Sequence, residues 1–314
     1  MKSDAQNFID RLTSAEQLLK DYPGESDNRT HESVAALPTA HFDFKLFEER
    51  TAFPEPWHQQ KAPVRIIQHL SCTGGTVICK CLAGMPNAAL LSEVNPASRL
   101  HPDQPHFAPT DLTYLALQSK FPLHEELSQK IFKAGIDVIT KHVQQLGKYL
   151  VIREHSHSDF LVGETPNGFS TIKMLLQDRH PMLCVLTTRH PVDSYLSLIT
   201  NGWVHFSPRI FDEYCKRYLL FIESNKGVPL FKYENFSADP QTEMKSICEA
   251  LELPYNKDFL NIFDLNDISG DSGRSSDTIT PRDRREFNDA FRTEAEESTN
   301  YIQLCERLDY ESSI

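Results

Sequence analysis

Short apolar runs alternate along this chain with segments whose apolar residues recur at helical spacing. The run Ile66–Leu70 leads into a turn of small residues, Ser71-Cys72-Thr73-Gly74-Gly75-Thr76. A helix-like segment, Val77–Ala83, and a second apolar run, Ala88–Leu91, follow, so residues 65–93 predict a right-handed strand–helix–strand unit. Further strands are expected at Tyr149–Ile152, Met182–Thr187 and Val228–Lys232. Helices are expected at Phe8–Leu19, twice between Asp111 and Leu146 with a break near Pro122, and at Phe169–Gln177. Others should start near Pro191, which suits a first helical turn, span Ile210–Glu223, run from Asp239-Pro240 to Leu251, and extend through Leu308. This alternation predicts an α/β fold of three layers, a parallel sheet flanked by helices. Residues 1–61 are expected to add an N-terminal helix and a surface segment to the same globule, with the α/β domain over residues 62–314.

In such sheets ligands gather at the carboxyl ends of strands. The unusual polar residues of this chain fall there. The glycines of the first turn allow backbone N–H groups to approach an anion, and the following helix adds partial positive charge. The turn lacks the G-x-x-x-x-G-K-[ST] pattern of a Walker loop. Tyr149–Ile152 empties into Arg153-Glu154-His155-Ser156-His157-Ser158-Asp159, and Met182–Thr187 opens into Arg189-His190-Pro191-Val192-Asp193. Arg189 and Ser197 lie eight residues apart, about two helical turns, and together suit a phosphate at the sheet edge. The Arg189–Asp193 spacing also fits an ordinary ion pair along a helix.

Composition narrows the class. The 314 residues include 44 acidic and 32 basic side chains, a net charge of −12, which disfavours nucleic acid and anionic membranes as partners. The seven cysteines are odd in number and form no C-x-x-C pair, so they read as reduced thiols. The first residues carry acids and no long apolar stretch, and no run reaches the length of a membrane span. A cytoplasmic protein is expected.

Four features in order resemble the sulfotransferases that use 3′-phosphoadenylyl sulfate. Ser71, Cys72, Thr73, Gly74, Gly75 and Thr76 resemble the loop that holds the 5′-phosphosulfate. Arg189-x-Pro-x-Asp-x-x-x-Ser197 resembles the element that holds the 3′-phosphate. Lys232-Tyr233-Glu234 resembles the Tyr-Glu-Asp strand end whose Tyr lies near the adenine, and Ser269–Arg274, with Gly273 and Arg274, resembles the loop that closes over the nucleotide. The resemblance implies a fold like that of P-loop nucleotide hydrolases, and a sulfotransferase moving a sulfuryl group from 3′-phosphoadenylyl sulfate to a small-molecule hydroxyl acceptor, without a metal. Many family members carry Lys or Arg where this chain has Cys72. Arg153 is the expected replacement for that charge, with Lys80 the other cation nearby. Arg153-Glu154-His155 resembles the family's Lys-x-His strand end, where the His is the general base. A tyrosine-sulfating branch instead uses a Glu after the second strand, where Glu93 stands. The base is open between His155 and Glu93.

Two other readings compete. His155-x-His157-x-Asp159 is similar to part of the zinc site of metallo-β-lactamase-like hydrolases, although Phe160 stands where that pattern wants His. A nucleotide-binding protein without catalysis is the other. The acceptor pocket is expected among residues 40–60, 95–125 and 202–210, which carry several aromatics, Trp203 and Phe206 among them.

Overall fold

The structure, a computed structural model, describes residues 61–98, 112–113, 124–266, 268 and 278–314. The expected N-terminal helix, the first helix after Asp111 beyond residues 112–113, and the Gly273 and Arg274 loop lie outside these residues.

Five strands form one sheet: β1 (Val64–His69), β2 (Ala88–Val94), β3 (Tyr149–Glu154), β5 (Met182–Thr188) and β7 (Leu230–Lys232). Their order is β2-β3-β1-β5-β7, and every pairing is parallel. The expected strand–helix–strand unit is present, with α1 (Gly75–Ala83) as its crossover, but β3 inserts between β1 and β2. Two short strands, β4 (Val162–Gly163) and β6 (His205–Phe206), pair separately and were not expected.

Helices cover both faces. Ile67 of β1 packs with Ile78 and Leu82 of α1, and with Met244 and Ile247 of the later helix Pro240–Ala250. Val64 and Ile66 turn the other way, toward Ile136 of α2 (His124–Gln145) and Ile172 of α4 (Thr171–Leu176). Neighbouring residues of a strand point to opposite faces, so a central strand is covered twice, and all six residues of β1 are buried. Its three polar residues are partnered. Arg65 donates to the carbonyls of Leu251, Pro63 and Glu252, Gln68 donates to Glu154, and His69 bonds to Arg153 and the Leu70 carbonyl.

Several boundaries move. β3 runs on to Glu154, so Arg153 and Glu154 are strand residues rather than the start of a loop. His157–Phe160 forms a one-turn helix, α3. The helix after β5 is α5 (Pro191–Thr200), with Pro191 in its first turn, and α6 spans Phe211–Ser224. Tyr233–Ala238 is a short helix, α7, followed directly by α8 (Pro240–Ala250), whose Thr242 amide is capped by the Asp239 carboxylate. The single helix expected at the end is two, α9 (Asp289–Glu297) and α10 (Thr299–Leu308). They break at Ser298, whose hydroxyl accepts from the Tyr301 amide. Tyr301, Leu304 and Leu308 of α10 pack with Tyr214, Tyr218 and Phe221 of α6, an apolar cluster that also takes in Val192 and Leu198 of α5. No helix among the described residues is long and apolar enough to cross a membrane.

Candidate active site

The loop between β1 and α1 is held by its own backbone. The Leu70 carbonyl accepts from the Thr73 hydroxyl at 2.7 Å and the Thr73 amide at 3.4 Å. Thr73 is thus a buried brace of the loop. Cys72 and Gly74 both adopt left-handed conformations, φ 69° and 86°. The Cys72 side chain packs on the α5/α6 cluster, with the Asn201 amide 3.5 Å from its sulfur. The two glycines have separate reasons. A Cβ on Gly74, besides its positive φ, would sit 2.1 Å from the Tyr233 ring. Gly75 is helical, and its Cβ would fall 2.2 Å from the His69 ring. α1 then starts with no acidic residue in its first turn, so its N-terminal partial charge is not offset there.

Arg153 is the hub of the site. Its side chain is almost fully buried, at 4 % exposure. Nε donates to His69 Nε2 at 2.8 Å, Nη1 to Ser92 Oγ at 3.1 Å and Nη2 to Thr76 Oγ1 at 2.9 Å. Nη2 also lies 2.7 Å from Glu93 Oε1. The guanidinium therefore touches the first turn of α1 from the neighbouring strand.

A β-bulge brings Ser92 and Glu93 to it. Leu91 pairs with Ile152 and Val94 with Glu154, so Ser92 and Glu93 together oppose the single residue Arg153. Glu93 sits at φ 59°, a conformation few residues other than glycine, Asn or Asp adopt. Its second oxygen, Oε2, is 3.5 Å from His155 Nε2. The two expected base candidates are thus neighbours, 20 % and 19 % exposed. On the other side of the ring, His155 Nδ1 lies 3.1 Å from Ser158 Oγ and 3.4 Å from Ser98 Oγ.

The metal-like spacing parts company. Both Asp159 oxygens accept bonds from Thr171 (backbone N–H and hydroxyl) and one also from Asn167. His157 turns its Nε2 to His205 Nδ1 at 3.0 Å, and burial holds its pKa well below the usual histidine value. Among the described residues no group of three or more His, Cys, Asp or Glu side chains is placed to hold a metal ion.

A second basic group lies on the β5 side of the loop. Arg189, 7 % exposed, stacks over the Tyr233 ring at 5.1 Å and donates to the Cys72 carbonyl at 3.4 Å. Asp193 does not pair with Arg189. Its oxygens accept from the Arg285 amide at 2.8 Å and lie 3.6 Å from Arg284. This brings the Arg285 guanidinium to Ser197 Oγ at 3.3 Å. Glu234 bonds to the His190 amide at 2.9 Å and to the Tyr310 hydroxyl at 2.8 Å, fixing the start of α5 relative to the β7 strand end.

Of the expected site residues, the structure gathers Thr76, Glu93, Arg153 and His155 into one contact network, and Arg189, Tyr233 and the Cys72 carbonyl into a second. Ser197 stands apart from both and meets Arg285. His69, Ser92 and Arg285 were not foreseen. A histidine at the last position of the strand, shortly before the small-residue turn, was the available signal for His69.

No family model and no curated protein matches the chain. Among solved structures, the chain resembles sulfotransferase domains. One is the sulfotransferase domain of the Synechococcus PCC 7002 olefin synthase, at 18 % identity and TM-score 0.45, covering 82 % of this chain and 98 % of that one. Another is mouse sulfotransferase SULT7A1 complexed with PAP, at 12 % identity and TM-score 0.35, covering 78 % of this chain and 88 % of the other. At TM-scores below 0.5, neither likeness bears on the chemistry of this chain.

Proposed function

We propose that this chain is a sulfotransferase that moves a sulfuryl group from 3′-phosphoadenylyl sulfate to the hydroxyl of a small-molecule acceptor. The observation that carries this reading is the Arg153 guanidinium. It joins Thr76 of an anion-suited loop to Glu93, whose other oxygen faces His155. A cation, a base and oriented donors thus meet at one end of β1, β2 and β3.

The acceptor oxygen attacks sulfur in line. The bond from sulfur to the 5′-phosphate oxygen breaks, and its electron pair stays on that oxygen. Arg153, Thr76 and the α1 N-terminus offer donors to the charge that develops there. The acceptor proton goes to His155 Nε2, and the Glu93 carboxylate stabilises the imidazolium that results. Arg189, Ser197 and Arg285 would hold the 3′-phosphate, and the Tyr233 ring would border the nucleotide. Arg153 takes the part of the loop cation that Cys72 leaves open.

The test pairs binding with transfer. Calorimetry should show 3′-phosphoadenosine 5′-phosphate binding more tightly than AMP. Labelled donor, incubated with a panel of alcohols and phenols, should pass its label to at least one of them. Equal affinity for the two nucleotides, with no label transferred, sinks the reading.

A further inference from the structure

We propose that His69 is a positioning residue for Arg153: a neutral acceptor that fixes the plane of the guanidinium so that Nη2 faces Thr76 and Glu93 while Nη1 faces Ser92. This rests on the sulfotransferase reading above.

Arg153 has one Nε–H and two Nη groups. Rotation about its side-chain bonds would swing the Nη groups through a wide arc unless Nε is anchored. His69 Nε2 supplies the anchor at 2.8 Å. The ring is held in turn, because His69 Nδ1 lies 3.0 Å from the Leu70 carbonyl. A carbonyl oxygen only accepts, so Nδ1 carries the proton and Nε2 presents its lone pair. The same Leu70 carbonyl braces Thr73, so the anchor and the loop share one atom. Gly75 makes the room, since any Cβ there would overlap the ring.

The residue type follows from charge. Glu93 already sets one carboxylate against Arg153. A second carboxylate at position 69 would overcompensate the guanidinium and weaken its attraction for an anion. A cation there would repel it. A neutral imidazole adds an acceptor and no charge. Burial, and then Arg153 itself, press the His69 pKa down to about 3, so the ring stays neutral at physiological pH.

The test measures how strongly each variant favours 3′-phosphoadenosine 5′-phosphate over adenosine 3′-phosphate, which lacks the 5′-phosphate. Arg153→Ala should cut that preference about tenfold or more. His69→Leu should cut it about three- to tenfold. His69→Gln, whose amide oxygen reaches the Nε2 position, should keep it within about twofold. The preference for the bisphosphate over AMP reports on the other basic group and should stay unchanged in all three. A normal His69→Leu beside an impaired Arg153→Ala overturns the positioning role, as does a His69→Gln that behaves like His69→Leu. A wild type that binds the bisphosphate and adenosine 3′-phosphate equally overturns the sulfotransferase reading and this role with it. Nitrogen NMR of the wild type decides the matter even where His69→Leu fails to fold. His69 should show Nδ1–H and a bare Nε2 from pH 5 to 8, and the opposite tautomer, or an added proton in that range, overturns the proposal.

Discussion

Glu93 Oε1 lies 2.7 Å from Arg153 Nη2, and a bulge puts it there. Without the extra residue in β2, one side chain rather than two would oppose Arg153, and either Ser92 or Glu93 would lose its contact. The carboxylate then has two faces, one on the cation and one on His155. This separates the roles of the two expected bases. His155→Ala should lower turnover about 10²- to 10⁴-fold and leave the affinity for 3′-phosphoadenosine 5′-phosphate within about twofold. Glu93→Gln should lower turnover too, yet bind the bisphosphate several-fold more tightly, because Arg153 loses its opposing charge. Steady-state rates with an acceptor from the panel, beside calorimetry, check both. A Glu93→Gln variant that binds the bisphosphate more weakly contradicts this division.

The β5 side of the loop is predicted to read the 3′-phosphate. Arg189→Ala should reduce the preference for the bisphosphate over AMP about tenfold to a hundredfold, the range of a charged hydrogen bond. Arg285→Ala should reduce it as well, since its guanidinium bonds to Ser197. Ser197→Ala removes a neutral hydroxyl and should cost about two- to tenfold. Titrations with the two nucleotides give the ratios. Preferences unchanged in all three variants would place the 3′-phosphate elsewhere.

Gly75 and His69 should couple strongly. Gly75→Ala alone forces a Cβ to within 2.2 Å of the ring and should destabilise by about 1–3 kcal/mol. In a His69→Ala background the clash is gone. Alanine then has the better helix propensity, so the same change should be neutral or stabilising by up to about 1 kcal/mol. Denaturant unfolding of the four proteins in the cycle measures the coupling. Additive effects would mean that the ring moves aside freely.

Glu154 is fully buried between Gln68 and Ser170, and burial raises its pKa to about 7. A carboxyl with a raised folded pKa holds its proton more tightly folded than unfolded. Its favourable contribution is complete below the unfolded value, near 4.5, and is lost as pH rises to about 7. Glu154→Gln removes that dependence. The variant should gain on the wild type by on the order of 3 kcal/mol between pH 4.5 and pH 8, because ionisation penalises the wild type alone. Unfolding curves at several pH values test this, and a constant difference across the range refutes it.

The sequence by itself determined what is local. Apolar runs marked all five strands of the main sheet, Pro191 marked the start of α5, Asp239 the cap of α8, and the small-residue turn the loop after β1. Arg153, Glu93 and His155 were legible as candidates because the segments that end the second and third strands resemble sulfotransferase strand ends. Contacts between distant segments were not legible. Strand order places β3 beside β1, and that alone lets Arg153 meet His69 across 84 positions of sequence. The bulge in β2 reflects the pairing of two strands, and periodicity within one strand carries no trace of it. Asp193 matched Arg189 at helical spacing, yet Arg189 lies before the first turn of α5 and instead packs over Tyr233. Asp193 turned to the 284–285 segment, 92 positions from Arg285, because that segment offered it a backbone amide and a cation. Local patterns record what each segment buries, whereas partners across the fold depend on which segments the sheet and its helices bring together.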